Sequence, residues 1–228
     1  MTTNRDAIDL LSPEFYVGDP HPAYRWMREN EPVFRDEKNA LWGITTMADI
    51  RNVERMPDLF ISSRGYRSTD HPAEDSMIKK DDPGHAEQRK LISARFTPRA
   101  VRQREDEIRG IVVECLERIR ARGSAEVVDS LAARIPATLT CRLLGFPDSH
   151  WSLLDDWSAK LMRVDRLPFE PRLMNDSTQA FVDMSEAAFE LYESRRREPR
   201  DDLMSLWAHA DLGGSPMKFE TIQWELGL

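Results

Sequence analysis

Apolar side chains that recur every three or four residues constrain this chain more than any other feature of its sequence. Within residues 104–122, six apolar residues fall on one helix face: Ile108, Ile111, Val112, Cys115, Leu116 and Ile119. This spacing is typical of an amphipathic α-helix, and Gly123 is a residue suited to end it. The same kind of pattern predicts helices over residues 130–144, with a bend at Pro136, and over residues 172–197. Asp148 is expected to cap a further helix between the last two of these.

Strand patterns are few and early. Residues 40–46 are the best strand candidate, and Val33 and Phe34 are a candidate partner across a turn at residues 36–39. Near the end of the chain, Ser215 and Pro216 form a favourable helix start, and apolar residues continue from there to Leu228. The sequence therefore predicts a mainly α fold with a small antiparallel β element, in a single incomplete domain over residues 1–228.

Charge and composition exclude several classes of protein. The 40 acidic and 32 basic residues give a net charge of −8, which disfavours a nucleic-acid partner. The basic run at residues 195–197 is interpreted as a solvated helix end rather than a nucleic-acid contact. Two cysteines, Cys115 and Cys141, are too few for a disulfide framework. With neither a secretory signal nor an apolar run long enough to span a membrane, the expected location is the cytoplasm.

Residues 81–98 contain the pattern that most strongly indicates a binding site. Asp82 is placed to cap a helix that Pro83 begins. On a helical wheel, one stripe of this helix mixes two potential cations with two large apolar groups: His85, Arg89, Ile92 and Phe96. If the stripe faces inward, Arg89 requires an anion, so a flat apolar ligand bearing carboxylates would suit it. Alternatively, His85 and Arg89 face solvent or pair with an acidic residue of the chain.

The same segment resembles the C-helix region of bacterial cytochrome P450 monooxygenases. The resemblance rests on Asp82-Pro83-Gly84-His85 followed by Arg89, and on the ending Phe96-Thr97-Pro98-Arg99. Other segments resemble the family in the same order, namely residues 22–33, 42–50, 135–147, 196–206 and 217–228. The fold that this implies is the N-terminal portion of the cytochrome P450 fold, truncated at the start of the oxygen-activating helix.

The resemblance also implies an activity and its binding residues. His85 and Arg89 match the family positions that hold the propionates of heme b. Family members hydroxylate lipophilic substrates with O₂ and electrons from a ferredoxin-type donor, and the overall similarity points to a steroid or fatty side chain as substrate. Met77 and Ile78, in the loop at residues 66–80, match a region that contacts substrate, with simple loop packing as the alternative.

Departures from the family pattern limit these expectations. The family's heme iron is bound by a Cys in a Phe- and Gly-rich loop that this sequence lacks, and neither Cys115 nor Cys141 lies in such a loop. The chain alone is therefore expected to be inactive and, through its exposed apolar faces, prone to aggregate. The alternative is a non-catalytic remnant or a helical module that binds heme or a lipophile. A helical DNA-binding regulator is disfavoured by the acidic balance.

Overall fold

The computed structural model describes residues 5–67, 74–163 and 170–227. Its internal contacts divide the chain into two compact units, Met1–Arg64 and Gly65–Leu228. The single domain expected over residues 1–228 stays a prediction. Among the described helices, none is long and apolar enough to cross a bilayer.

The described residues of the first unit form three α-helices and a hairpin, with a small apolar core. The helices are α1 (Pro13–Val17), α2 (His21–Asn30) and α3 (Met47–Glu54), and the strands are β1 (Val33–Asp36) and β2 (Leu41–Ile44). The strands are antiparallel, with Val33 opposite Ile44 and Asp36 opposite Leu41, which confirms the predicted hairpin. The core of this unit is formed by Ile8, Ala23, Met27 and Phe34.

A buried carboxylate closes the hairpin turn of the first unit. Asp36 accepts hydrogen bonds from the backbone amides of Leu10 and Asn39 and from the Asn39 side-chain amide. Although burial opposes ionisation, these hydrogen bonds hold the pKa of Asp36 below its usual value. Because these donors bind the ionised carboxylate more strongly than the neutral acid, ionisation of Asp36 stabilises the turn.

The second unit is almost entirely helical. Its helices are α4 (Gly84–Ser93), α5 (Pro98–Gln103), α6 (Glu105–Arg122), α7 (Arg134–Leu144), α8 (Trp151–Leu161), α9 (Leu173–Arg197), α10 (Leu203–Ala208) and α11 (Phe219–Glu225). Between α10 and α11 lies a second small antiparallel hairpin, β3 (Asp211–Leu212) and β4 (Ser215–Pro216). The mainly α prediction is confirmed.

One apolar core joins the later helices of this unit. Its buried members are Cys141, Leu144, Phe146, Ala188, Leu203, Met204, Trp207, Met217 and Ile222. A smaller cluster of Trp157, Ala180 and Met184 lies between α8 and α9. Helices α7, α9, α10 and α11 therefore form the frame against which α4 packs through Leu91 and Ile92.

Several predicted helix limits change in the structure. Helix α6 ends as predicted, at Gly123, whose φ of 77° suits glycine and whose amide donates to the carbonyl of Ile119. The helix predicted over residues 130–144 begins only at Arg134, after a π-helical turn at Val128–Ala132. Pro136 therefore lies in the first turn of α7, where a missing amide is tolerated, and the predicted bend stays a prediction.

Two predicted helix caps also prove wrong. Asp148 pairs with Arg142, with an Nη2–Oδ2 distance of 2.6 Å, instead of capping, and α8 begins three residues later at Trp151. Ser215 and Pro216 form β4 rather than a helix start. The preceding Gly213 and Gly214 both have positive φ, which favours a tight hairpin turn over a continuing helix.

The basic end of α9 is not simply solvated. Arg195 is buried, and its Nε donates to Oδ2 of Asp202 at 2.5 Å while its Nη2 donates to the carbonyl of Gly145. The Asp202 carboxylate also caps α10 by accepting from the Ser205 amide at 2.7 Å. A Cβ at Gly145 would lie 2.5 Å from Asp202 Oδ2, and φ there is 99°. The ends of α7 and α9 and the start of α10 therefore meet at one buried ion pair.

Candidate functional site

Helix α4 carries the predicted pair of cations, and local sequence sets its limits. The helix begins at Gly84 with Pro83 at the N-cap position, one residue later than predicted, so Asp82 is not the N-cap residue. Oδ1 of Asp82 still accepts a hydrogen bond from the first-turn amide of Ala86 at 3.1 Å. After Ser93 the chain tightens into a 3₁₀ turn at Ala94–Phe96. Helix α5 then begins at Pro98, with Thr97 as its cap.

The two cations occupy different environments. His85 is 36% exposed, and its Nδ1 lies 3.4 Å from Oδ1 of Asp82. Arg89 is exposed, and its guanidinium has no hydrogen bond or ion pair with any described residue. Both placements match the alternative stated for this pair, exposure to solvent or pairing with an acid, and the propionate-binding role stays a prediction.

The predicted stripe on α4 divides between the core and the surface. Ile92 packs against the main core of the second unit, whereas Phe96 is 53% exposed. The change to 3₁₀ geometry after Ser93 alters the rotation per residue, so Phe96 leaves the face that a continuous α-helix would give it. The predicted stripe of cations and apolar groups is therefore shorter in the structure, because Phe96 no longer belongs to it. His85 and Arg89 lie at its solvent-exposed end.

These residues fit a ligand that bears carboxylates. Because Arg89 has no acidic partner in the described part of the chain, its exposed guanidinium can donate two hydrogen bonds to a carboxylate without breaking such an ion pair. His85, one helical turn earlier, offers a second donor near the same end of α4. The donor chemistry of this pair is therefore suited to the propionates of a heme.

Met77 and Ile78 lie on a 3₁₀ turn, Met77–Lys79, that contacts α4. Met77 is half-buried, and Ile78 is 42% exposed. Residues 68–73 of the same predicted loop lie outside the described residues. An exposed apolar side chain beside the cation-bearing helix is compatible with substrate contact, which stays a prediction.

One buried residue of this region was missed by the sequence analysis. Glu225, on α11, accepts hydrogen bonds at 2.7 Å from the backbone amide of Met77 and from the side-chain amide of Gln88, both through Oε1. Gln88 is itself buried in α4. The available signal was a carboxylate three residues after Ile222, on the same face of an apolar helix.

The prediction that neither cysteine ligates heme iron concerns two buried residues. Cys115 and Cys141 are both buried in helices, and burial raises the pKa of Cys141 to about 11. A metal ligand must be a thiolate, which such an environment disfavours. Within the described ranges, no group of three His, Cys, Asp or Glu side chains is arranged to hold a metal ion.

A separate apolar groove lies away from the cations. It is lined by residues of α7, α8 and α9 and by the end of α11, including Ala137, Leu144, Trp157, Met184 and Leu226, with a volume of about 330 Å³. Neither His85 nor Arg89 lines this groove. The sequence analysis did not predict it, because it arises from residues on four different elements.

Comparisons with known proteins are consistent with the resemblance noted in the sequence. No protein-family model matches the chain. It is 33% identical over 222 residues to a steroid C26-monooxygenase of Mycolicibacterium smegmatis, an alignment covering 97% of this chain and 55% of the relative. It is 30% identical to cytochrome P450 130 of Mycobacterium tuberculosis, covering 90% of this chain and 54% of that protein.

The fold comparison gives a consistent result. A Mycobacterium marinum cytochrome P450 solved in complex with pseudoionone superposes with a TM-score of 0.86 over 99% of this chain and 60% of its own. At 24% identity that similarity is evidence for the fold alone. The chain thus spans somewhat more than half the length of the curated relatives it matches. In sequence and in fold, it corresponds to the N-terminal portion of a bacterial cytochrome P450.

Proposed function

We propose that this chain supplies the propionate-binding helix and part of the substrate pocket of a cytochrome P450 monooxygenase that hydroxylates a lipophilic substrate. The guanidinium of Arg89, which has no partner among the described residues and lies one turn from His85 on α4, is the observation that carries the proposal. In this proposal Arg89 and His85 hold the two propionates of heme b. The bound heme would supply the iron at which O₂ is activated.

The proposed substrate is the apolar side chain of a steroid or a fatty chain. This part of the proposal is supported by two mycobacterial relatives named steroid C26-monooxygenase, at 33% and 31% identity. Met77 and Ile78 would contact the substrate from the turn that precedes α4. A ferredoxin-type protein is the proposed electron donor.

We also propose that the 228-residue chain alone does not transfer oxygen. The family chemistry needs a thiolate ligand, and both cysteines of this chain are buried in helices. A module that binds heme or a lipophile without catalysis is the second candidate, favoured by the apolar groove between α7, α8, α9 and α11. Ligand binding, rather than turnover, is therefore the property to test in this chain.

The test is a hemin titration of the purified chain, followed at the Soret band. Arg89→Ala is expected to weaken hemin binding about ten-fold or more, because a charge-assisted hydrogen bond contributes roughly 1.5–3 kcal/mol. His85→Ala should weaken it less. Lys90→Ala is the matched control, since Lys90 is an exposed cation on the next residue of the same helix.

A second titration separates carboxylate binding from simple apolar adsorption. With the dimethyl ester of hemin, which has no free carboxylate, Arg89→Ala and wild type should bind alike. The proposal is contradicted if Arg89→Ala binds hemin as tightly as Lys90→Ala does, or if the ester shows the same sensitivity to Arg89.

A further inference from the structure

A single buried carboxyl connects three segments of the second unit. Glu225 of α11 is only 5% exposed, yet its Oε1 accepts hydrogen bonds from the turn at Met77 and from Gln88 of α4. The partners are 148 and 137 residues away in sequence. Backbone and side-chain donors from two segments therefore converge on one oxygen atom.

The other oxygen of this carboxyl is isolated. Among the described residues, Oε2 of Glu225 is the one buried side-chain polar atom without a hydrogen-bond partner. Burial raises the pKa of Glu225 to about 7, although the Met77 amide, the charge of Lys80 and the Gln88 amide lower it. A proton on Oε2 leaves Oε1 free as the acceptor of both hydrogen bonds, so the neutral acid keeps both of them, while its O–H finds no acceptor among the described residues.

A second link lies beside the first and has a different chemistry. The Thr221 hydroxyl, one helical turn before Glu225, donates to Oδ2 of Asp75, and Lys80 pairs with Oδ1 at 2.9 Å. Burial raises the pKa of Asp75, but the hydrogen bond from Thr221 and the ion pair with Lys80 outweigh this effect and hold the pKa below its usual value. The charged groups facing Glu225 from the neighbouring turn are therefore Asp75 and Lys80, whose charges offset each other.

Through Gln88, the hydrogen bonds to Glu225 affect the directions of His85 and Arg89. Gln88 lies between His85 and Arg89 on α4, and its buried side chain is held by Glu225. Anchoring one side chain of a helix fixes the rotation of that helix about its axis, and hence the directions of its neighbours. The Met77 amide bond fixes the adjacent turn in the same way.

We propose that Glu225 is a positioning residue: its carboxyl sets the rotation of α4, and thereby the direction of Arg89, together with the placement of the turn that bears Met77 and Ile78. This inference rests on the proposed function in one respect, namely the ligands assigned to Arg89 and to the turn that bears Met77 and Ile78. The anchoring itself concerns hydrogen bonds within the chain, so it can be tested without a ligand.

The first experiment measures hydrogen exchange of the 228-residue chain by mass spectrometry, using peptides that cover Met77 and α9. Glu225→Gln keeps an acceptor oxygen and should preserve protection at Met77. Glu225→Leu removes the acceptor and should speed exchange at Met77 about ten-fold, the effect of losing one buried hydrogen bond. Exchange in α9 should not change in either variant.

Two further variants guard against a general loss of stability. Asp202→Asn alters another buried acid of the same unit, the partner of Arg195 at the end of α9, so it should speed exchange at that end of α9 and leave exchange at Met77 unchanged. If Glu225→Leu unfolds the chain, Glu225→Asp replaces it, since the shorter side chain withdraws the acceptor and should also expose Met77. Unchanged Met77 exchange in the folded variant, or failure of Glu225→Gln to preserve protection, overturns the proposal.

The second experiment asks whether the anchor acts on Arg89. Hemin affinity should fall in Glu225→Leu and persist in Glu225→Gln. In the Glu225→Leu background, Arg89→Ala should cost several-fold less than it costs in wild type. Equal effects of Arg89→Ala in both backgrounds would overturn the action on Arg89. No effect of Arg89→Ala in wild type would instead reject the proposed function, while the exchange result would still decide the anchoring.

Discussion

At the scale of single residues, the most consequential side chain is Glu225, whose carboxyl pKa the fold raises to near neutral pH. Burial raises the pKa of Glu225 to about 7, from an ordinary value of 4.5. Below pH 4.5 the acid is protonated in both the folded and the unfolded chain. Between pH 4.5 and 7 only the unfolded chain releases the proton, so folding loses stability as the pH rises.

This gives a prediction for the pH dependence of stability. The Glu225 contribution to the free energy of unfolding should fall by up to about 3 kcal/mol between pH 4.5 and pH 7, and should level off above that. Glu225→Gln cannot ionise, so the difference in unfolding free energy between it and wild type isolates this contribution. Urea denaturation at several pH values measures it, and a difference that is constant with pH would contradict the prediction.

The same scale shows what the sequence reveals and what it conceals. His85 and Arg89 could be proposed because their spacing matches a family motif and because a helix brings them within one turn of each other. Glu225 could not be, because its partners are 148 and 137 residues away and nothing local marks their meeting. Side chains that depend on long-range packing are invisible to pattern analysis, since burial is decided by the whole fold.

At the scale of elements, one buried ion pair joins the ends of three helices. Arg195 of α9 is held by Asp202 at the start of α10 and by the Gly145 carbonyl at the end of α7. Removing one partner of such a pair leaves a buried charge without compensation. The junction therefore depends on both residues, even though replacing the whole pair by apolar residues need not destabilise the fold.

The prediction at this scale compares two neighbouring arginines. Arg195→Leu should lower the free energy of unfolding by about 3 kcal/mol, because Asp202 is left buried and unpaired. Arg196→Leu is the matched control: Arg196 pairs with Glu193 at the surface, where the expected cost is below about 1 kcal/mol. Chemical denaturation of both variants measures the difference, and similar costs for the two would contradict the assignment of Arg195 to the core.

Helices were predicted more accurately than their caps. The periodicity of α6 and the glycine after it suffice to place that helix, because both signals are local. The capping role predicted for Asp148 failed because Arg142, six residues earlier, pairs with the same carboxylate. The pattern after Ser215 was misinterpreted because two glycines before it allow a hairpin that apolar periodicity does not reveal.

At the scale of the whole molecule, the structure exposes many large apolar side chains. Helix α6 alone presents Val113, 51% exposed, and Leu116, 48% exposed, on neighbouring turns. Of the six apolar residues on the predicted face of α6, Ile111 and Cys115 are buried. Exposed apolar groups of this kind favour association with other surfaces.

Self-association of the chain should therefore increase with concentration, as measured by analytical ultracentrifugation. Replacing both Val113 and Leu116 by Glu should weaken it about ten-fold or more, because two apolar side chains no longer become buried. Glu117→Gln, an exposed polar change on the same helix, is the control and should have no such effect. Association that is equally strong in the double variant would show that other surfaces are responsible.

The hydrogen bonds that Glu225 accepts also impose an order in time. A ribosome releases Met77 and Gln88 long before residue 225, which lies 148 and 137 positions later. At rates of roughly 5–20 residues per second, about 7 to 30 seconds pass before the acceptor of these two donors is synthesised. During synthesis the helix that bears Arg89 therefore lacks its anchor, and it acquires its final orientation only when α11 emerges and docks.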